Sequence, residues 1–186
     1  MGSSRRPSRG KKINPHFWVF CEGETEEAYV ALLRSKYRIP IEIVSKVAGN
    51  RINKGYISRY KRGKPTHEKD RDFLVYDADV PKTLSRLKSI DDALLLASNP
   101  SIELWFLLHY KNRTESITTE ECIKELSNRN KNCYQKGYID IKLEEKLKEK
   151  CIEACKRAKA LNLFENPSTN LYEFIEILEE TSNQRL

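Results

Sequence analysis

The sequence predicts an α/β fold in which a parallel sheet of about four strands is flanked by helices and followed by a C-terminal helical extension. In the first 112 residues, short apolar runs alternate with segments whose apolar residues recur at helical spacing. Two of those runs end abruptly in acidic residues, in "VFCEGETEE" and "FLVYDAD". Beyond residue 112 the apolar residues follow an amphipathic, helical pattern. The expected division is a basic flexible tail (1–13), an α/β domain (14–112) and a helical extension packed on the same domain (113–186).

The first half of the α/β domain is predicted to contain two strands, a helix and a basic loop. Residues 16–21, "HFWVFC", form a short apolar run that is typical of a buried strand. A helix is expected from Glu24 onward, with Thr25 as its cap, and it ends before Pro40. "PIEIVSKV" alternates as a second strand does. Residues 48–71 carry glycines and basic residues, which indicates a loop with about one helical turn or more.

The second half is predicted to contain two further strands, each followed by a helix. "RDFLVYDADV" (71–80) is a strand that stays apolar until it turns acidic, and residues 81–89 are a short helix. "DDALLLASNP" predicts a fourth strand, and "SIELWFLLHY" predicts a largely buried helix. In the extension, "NPSTN" (166–170) is interpreted as a turn and a cap for the last helix.

Composition and charge indicate a water-soluble protein. The net charge is +7, 33% of the residues are charged, and the mean hydropathy is −0.68. No apolar run approaches the roughly 20 residues needed to cross a bilayer, and the basic N-terminus lacks the apolar stretch of a secretion signal. We therefore expect a cytoplasmic protein with no membrane association. Five cysteines, an odd number with no C-x-x-C pair, argue against a disulfide framework and favour packing roles over a zinc site.

The segment "RINKGYISRYKRGKP" interleaves basic residues with Tyr56 and Tyr60. Basic side chains bind a nucleic-acid backbone through counterion release, and aromatic side chains stack on bases. The alternative is a solvated, charged surface without a ligand. The candidate nucleic-acid-binding residues are Arg51, Lys54, Arg59, Lys61, Arg62 and Lys64.

Acidic residues at two strand ends are the main candidates for chemistry. Glu22 follows the first predicted strand, and Asp77 and Asp79 follow the third, about 55 residues later. Because parallel strands end at the same edge of a sheet, Glu22 and Asp77 are expected to meet there. Clustered carboxylates repel one another unless a cation offsets their charge, and oxygen ligands favour Mg²⁺ or Mn²⁺.

Helical geometry separates the glutamates of "CEGETEE". Glu26 lies one helical turn after Glu22 and is expected to reach the same edge of the sheet. Glu24 and Glu27 are expected to face water. An Asp-x-Asp or a Glu-Gly pair is a weak signal alone, but two acidic strand ends together are more specific.

Four stretches together resemble the RloB family: "CEGETEEAY", "FLVYDAD", "LLLASNPSIELWFLLHY" and "NPSTNLYEFIEIL". They occur in that order over most of the chain, and the third is the most distinctive. The resemblance implies a Toprim-like fold in which Glu22, Asp77 and Asp79 match the catalytic acidic positions. Glu26 matches the fourth acid of the nuclease variants, which is often aspartate. The four together are the implied ligands of Mg²⁺ or Mn²⁺.

The resemblance also implies a function. RloB-like proteins are bacterial, are associated with restriction-modification or abortive-infection loci, and are often paired with an AAA or ABC-type ATPase. The implied activity is that of a Mg²⁺-dependent endonuclease, acting on DNA or RNA as the effector of an anti-phage system. The competing hypothesis is a non-catalytic module on the same scaffold that binds nucleic acid or senses an infection signal. No G-x-x-x-x-G-K-[ST] motif occurs, so ATP hydrolysis through a P-loop is excluded.

Three further polar residues are candidates for supporting roles. Glu103 lies in an apolar helical stretch, where a carboxylate needs a partner; it is expected to pair with His109 or a basic residue, or to reach the site edge. His109 suits a general base or a phosphate ligand, although a hydrogen-bonded core histidine is the simpler interpretation. Asn99 either forms a turn at the end of the fourth strand or hydrogen-bonds a ligand.

Overall fold

The computed structural model describes residues 16–131 and 133–184, so the predicted basic tail (1–13) lies outside the described residues. The strands are β1 Phe17–Cys21, β2 Ile41–Val44, β3 Arg71–Asp77, β4 Ala93–Asn99 and β5 Ser168–Thr169. The helices are α1 Glu24–Tyr37, α2 Lys54–Lys61, α3 Pro81–Lys88, α4 Ile102–Leu108, α5 Thr119–Arg129, α6 Ile141–Glu149, α7 Cys151–Lys159 and α8 Leu171–Asn183.

The described strands form one five-stranded sheet with the order β2-β1-β3-β4-β5. β1 pairs in parallel with β2 and β3, and β3 pairs in parallel with β4, whereas the short β5 runs antiparallel to β4. The predicted α/β class with a mostly parallel, helix-flanked sheet is confirmed and is consistent with a Toprim-like fold. The strand number exceeds the expected four because the C-terminal part of the chain adds β5 at one edge.

β1 is buried along its whole length, which explains its uninterrupted apolar sequence. Phe17, Val19 and Cys21 face one core of the protein, whereas Trp18 and Phe20 face a second core on the other side of the sheet. This division follows from the two-residue period of a strand. The first core is covered by α1 and by α4 to α8, and the second by α2 and α3. A strand covered on both faces has no polar side, so its sequence does not alternate.

The start of α1 differs from the sequence prediction, whereas α2 agrees with the helical turn or more that is predicted in the basic segment. Gly23 is the N-cap residue of α1, so the prediction that Thr25 caps this helix is wrong. Thr25 is buried in the first turn, where its Oγ1 accepts a hydrogen bond from the backbone N–H of Gly137 at 3.0 Å. In the basic segment, Asn53 caps the eight-residue helix α2 by accepting a hydrogen bond from the N–H of Tyr56 at 2.8 Å.

Residues 166–170, predicted as a turn and a cap, also contain β5, and Asn170 is the N-cap residue of α8. The N-cap residue of α8, Asn170, makes no side-chain capping bond to its helix. Its side chain accepts a hydrogen bond from the N–H of Ala97 at 2.7 Å and donates one to the carbonyl of Leu95 at 2.8 Å. The amide of Asn170 therefore satisfies two backbone groups of β4 beyond the end of β5, as a further peptide unit would.

Of the helices in the described part of the chain, none is both long and apolar enough to cross a bilayer. The five cysteines are free thiols. Cys21, Cys122 and Cys151 are buried in the core, which agrees with the packing role that the sequence favours for cysteine.

Candidate functional site

The carboxyl ends of β1 and β3 bring Glu22 and Asp77 to one edge of the sheet. In the parallel register, Cys21 at the end of β1 lies opposite Val75 of β3. The backbone N–H of Glu22 donates to the carbonyl of Val75 at 3.2 Å, and Asp77 ends β3 two residues further on. Residues that are far apart in the chain thus meet at the edge where ligands of parallel sheets bind.

A cavity of about 250 Å³ at this edge is lined mainly by acidic residues. Glu22 follows β1, Glu26 lies in the first turn of α1, Asp77 ends β3 and Glu103 lies in the first turn of α4. These four residues are called the acidic cluster below. The cavity lining consists of Glu22, Gly23, Glu24, Thr25, Glu26, Asp77, Glu103, Lys136 and Gly137.

Glycines let the backbone approach two carboxylates of the acidic cluster. The N–H of Gly49 donates to Oε1 of Glu22 at 3.4 Å. A Cβ atom at Gly23 would lie only 2.8 Å from Oε2 of Glu26, closer than a carbon and an oxygen atom normally pack. The Glu-Gly pair in the sequence is therefore explained by the close approach of the Glu26 side chain to the backbone at Gly23.

Asp77 has the most strongly perturbed ionisation in the acidic cluster. Burial, together with repulsion from nearby carboxylates, raises the pKa of Asp77 to about 9. The repelling carboxylates, in decreasing order of effect, are Glu26, Glu103, Glu22 and Asp79. Oδ1 of Asp77 accepts a hydrogen bond from the N–H of Ile102 at 3.1 Å, which holds this side chain at the start of α4. Without a nearby cation, Asp77 is thus protonated at neutral pH.

The chemistry of the acidic cluster fits a hard divalent cation. Burial raises the pKa of Glu26 as well, and repulsion from Glu103 and Glu22 adds to this effect, while backbone hydrogen bonds oppose it. A cation would relieve this repulsion, and carboxylate oxygens are the ligands that Mg²⁺ and Mn²⁺ prefer. Within residues 16–131 and 133–184, no group of three or more His, Cys, Asp or Glu side chains is arranged to hold a metal ion. The four carboxylates therefore share a cavity without being preassembled as a ligand shell.

Glu103 lies at the edge of this cavity and is not paired with His109. Its side chain is 1% exposed, and both of its oxygens accept hydrogen bonds from hydroxyl groups. Ser101 Oγ donates to Oε2 at 2.7 Å, and the Tyr134 hydroxyl donates to Oε1 at 2.8 Å. Lys136 Nζ lies 3.8 Å from Oε1. Sequence reasoning missed Tyr134 and Lys136 because no motif or periodicity marks the connection between α5 and α6.

The other acidic candidates lie at the rim of the cavity or outside it. Asp79 is exposed two residues beyond β3 and does not line the cavity, although its charge contributes to the raised pKa of Asp77. Glu24 is exposed, as expected, and pairs with Lys46 at 2.9 Å. Glu27 is half-buried outside the cavity lining.

Asn99 and His109 make structural contacts away from the cavity. Nδ2 of Asn99 donates to the carbonyl of Phe164 at 3.1 Å. His109 is buried, and its Nδ1 donates to the carbonyl of Trp105 at 2.9 Å. These contacts agree with the simpler interpretation of His109 as a hydrogen-bonded core histidine.

Half of the candidate nucleic-acid-binding residues are paired with acids near the opposite end of the sheet. The ion pairs are Lys54–Asp91 (3.1 Å), Lys61–Asp72 (2.8 Å) and Lys64–Glu42. Asp72 precedes Asp77 by five residues in β3, a separation of about 17 Å along an extended strand. Arg51, Arg59 and Arg62 are exposed. The lysines of this segment are therefore remote from the acidic cluster, and its arginines remain exposed.

The chain is similar to one described protein family over most of its length. The sequence model of a family described as RloB-like protein matches residues 17–178. No curated protein and no solved structure shows a significant match. The matched span covers most of the chain and includes the complete acidic cluster, all five described strands and the connection that carries Tyr134.

Proposed function

Since the chain belongs to the RloB-like family, we propose that it is a metal-dependent nuclease that hydrolyses phosphodiester bonds in nucleic acid. The observation that carries this proposal is the acidic cluster, in which four carboxylates from separate elements line one cavity. Burial and mutual repulsion raise the pKa of Asp77 to about 9 there. Such a site is favourable for a divalent cation because the cation removes the repulsion among the carboxylates.

Glu22, Glu26 and Asp77 would hold Mg²⁺ or Mn²⁺, with Glu103 as a further ligand from the same cavity lining and Asp79 just outside the cavity. When bound, the ion would polarise the scissile phosphate and lower the pKa of a water molecule. Glu22, whose Oε1 is held by the N–H of Gly49, would accept the proton that this water loses.

Two lysines beside the cavity are suited to bind the phosphate backbone. Lys136 lines the cavity near Glu103, and Lys46 pairs with the exposed Glu24 at its rim. The Lys46–Glu24 pair joins two exposed side chains and contributes little free energy, so Lys46 can exchange its carboxylate for a phosphate at small cost. Lys136 is 54% exposed, and its Nζ lies 3.8 Å from Glu103, which is too far for a hydrogen bond. The exposed arginines at positions 51, 59 and 62 would bind the strand further from the reacting bond.

The biological role that we propose comes from the family resemblance. The chain would act in the cytoplasm as the effector of an anti-phage, abortive-infection system. An AAA or ABC-type ATPase partner would license the cleavage of DNA or RNA. An unrestrained nuclease would damage its own cell, which is the physical reason for such a partner.

The second candidate function is a non-catalytic module that binds nucleic acid or senses an infection signal. The observation in its favour is Lys136, whose Nζ lies 3.8 Å from Glu103. A basic side chain of the protein itself thus offsets part of the charge of the acidic cluster. In this alternative, the cluster would be a polar surface on a Toprim-like scaffold.

Mn²⁺ titration calorimetry and cleavage assays on labelled DNA and RNA separate the two functions. The wild-type protein should bind Mn²⁺ and, in its presence, cleave one of the two nucleic acids. Glu26→Gln should lose both properties because Glu26 is buried in the cavity lining. Glu27→Gln, the same change one residue away and outside the lining, should retain both. Nucleic-acid binding without Mn²⁺ binding or cleavage would favour the non-catalytic module.

A further inference from the structure

The connection between α5 and α6 folds back onto the acidic cluster. Gln135 and Tyr138 form an antiparallel β-bridge, and the N–H of Tyr138 donates to the carbonyl of Gln135 at 3.2 Å. Gly137 has a φ of +75°, a left-handed conformation that glycine adopts without strain. Residues 134–138 are called the cluster turn below.

The cluster turn is anchored to the first turn of α1. The N–H of Gly137 donates to Oγ1 of Thr25 at 3.0 Å, across 112 residues of sequence. A Cβ atom at position 137 would lie 3.1 Å from Cβ of Glu24, so the backbone of the cluster turn packs tightly against α1. A segment from the helical part of the chain is therefore fixed at the rim of a cavity that belongs to the sheet.

From this anchored turn, Tyr134 contacts the carboxylate of Glu103. Its hydroxyl donates to Oε1 at 2.8 Å, while Ser101 Oγ donates to Oε2 at 2.7 Å. Two donors on the two oxygens define one orientation of the carboxylate. Burial, and then the negative charge of Glu103, raises the pKa of Tyr134, so the hydroxyl keeps its proton and acts as the donor.

We propose that Tyr134 is a positioning residue of the acidic cluster, whose hydroxyl fixes the Glu103 carboxylate in the orientation that the cation requires. This inference rests on the proposed function, because an oriented carboxylate in this cavity serves a bound cation. Glu103 is buried, so loss of the hydroxyl leaves one of its oxygens without that donor. Hydrogen-bond partners that orient metal ligands typically contribute about 10- to 100-fold to metal affinity.

The test compares two tyrosines of the same turn. Tyr134→Phe removes the hydroxyl that contacts Glu103, and Tyr138→Phe removes one from a side chain that is 59% exposed. Mn²⁺ affinity should fall about 10- to 100-fold in Tyr134→Phe. It is measured by calorimetry at a temperature well below the Tm of each variant. Tyr138→Phe should bind Mn²⁺ as the wild type does. Wild-type affinity in Tyr134→Phe, or an equal loss in both variants, would overturn the proposal.

A double-mutant cycle separates failure of this inference from failure of the proposed function. Urea unfolding of Tyr134→Phe, Glu103→Ala and the double variant should give non-additive changes in stability, because both single changes remove the same hydrogen bond. This readout requires neither metal nor substrate. A wild-type protein that binds no Mn²⁺ would end the proposed function, and the cycle would still decide whether Tyr134 holds Glu103. Additive changes would show that it does not.

Discussion

The carboxylate of Asp77 accepts a hydrogen bond from the backbone N–H of Ile102 at 3.1 Å, so the last residue of β3 is tied to the first residue of α4. Glu103, the next residue of α4, lines the same cavity. The hydrogen bond therefore holds Asp77 among carboxylates that repel it. Either a proton on Asp77 or a cation in the cavity relieves that repulsion.

Replacement of Asp77 with Asn should abolish Mg²⁺-dependent cleavage and leave the fold intact. Asn keeps an oxygen that can accept the hydrogen bond from Ile102 but carries no charge. The metal-free variant should therefore be more stable than the wild type near pH 8, by up to about 6 kcal/mol, at roughly 2–4 °C of Tm per kcal/mol for a chain of this length. Circular dichroism and thermal melts in EDTA measure the fold and the Tm. Retained cleavage would show that Asp77 is not essential.

Metal binding should tighten as the pH rises toward 9. Burial and repulsion raise the pKa of Asp77 to about 9, so at lower pH a cation must displace a proton from the site. The apparent Mn²⁺ affinity should increase by up to about tenfold per pH unit and level off above this pKa. Calorimetry in two buffers of different ionisation enthalpy counts the released protons. An Mn²⁺ affinity that does not vary with pH would show that metal binding does not displace a proton from Asp77.

The stability of the metal-free protein should decrease as the pH rises, whereas the Mn²⁺ affinity increases. The pKa of Asp77 is raised in the folded state from the ordinary value of 3.8. The folded state then binds the proton more tightly than the unfolded state does. The contribution of Asp77 to stability is therefore complete below pH 3.8 and is lost as the pH rises through about 9. In thermal melts in EDTA, the Tm of the wild type should fall as the pH rises through that window. The part of this fall that comes from Asp77 should be absent in Asp77→Asn.

Charge removal at Lys136 should weaken nucleic-acid binding more than the same change at Lys61. Lys136 is 54% exposed and lines the cavity, whereas Lys61 is 21% exposed and paired with Asp72. Lys136→Ala should reduce the slope of log affinity against log salt by about one, since one phosphate contact is lost. Fluorescence anisotropy with labelled DNA and RNA in EDTA, at several salt concentrations, measures that slope. Equal effects of Lys136→Ala and Lys61→Ala would place the bound strand elsewhere.

Asn170→Ala should destabilise the protein without touching the acidic cluster. The change leaves the N–H of Ala97 and the carbonyl of Leu95 without the side chain that bonds them. We expect a loss of about 2–4 kcal/mol in the free energy of unfolding, measured in urea. Asn162→Ala is the matched control, because Asn162 is exposed and bonds only the exposed Glu165 within the described residues. Its effect should stay within about 0.5 kcal/mol.

The sheet and its acidic edge could be predicted because local pattern determines them. β1 and β3 are apolar runs that turn acidic where they end, and parallel strands end at one edge. The position of Glu26 followed from the spacing of one helical turn. Glu103 was ambiguous in the sequence, since an acid in an apolar helix indicates only that a partner exists.

The contacts of the cluster turn could not be predicted, because they depend on how distant elements pack. Tyr134 reaches Glu103 across 31 residues, and no local periodicity records that distance. β5 has only two residues, too few to show the alternation of a strand, and its flanking Asn and Pro residues favour a turn. The side chain of Asn170 makes the hydrogen bonds to β4 that a backbone amide would make. The sequence here has the pattern of a turn, so it did not predict that the sheet extends to these residues.

The segment between α4 and α5 joins a first part, which contains β1 to β4 and the acidic cluster, to a second part, which contains β5 and Tyr134. Each part supplies elements that the other lacks. A polypeptide divided there would give one piece without its outer strand and another without the carboxylates. Neither piece alone would contain an entire sheet or an entire site. Such a division suggests a fragment-complementation experiment, in which the Mn²⁺ binding that we propose would be expected only when two fused baits bring the halves together.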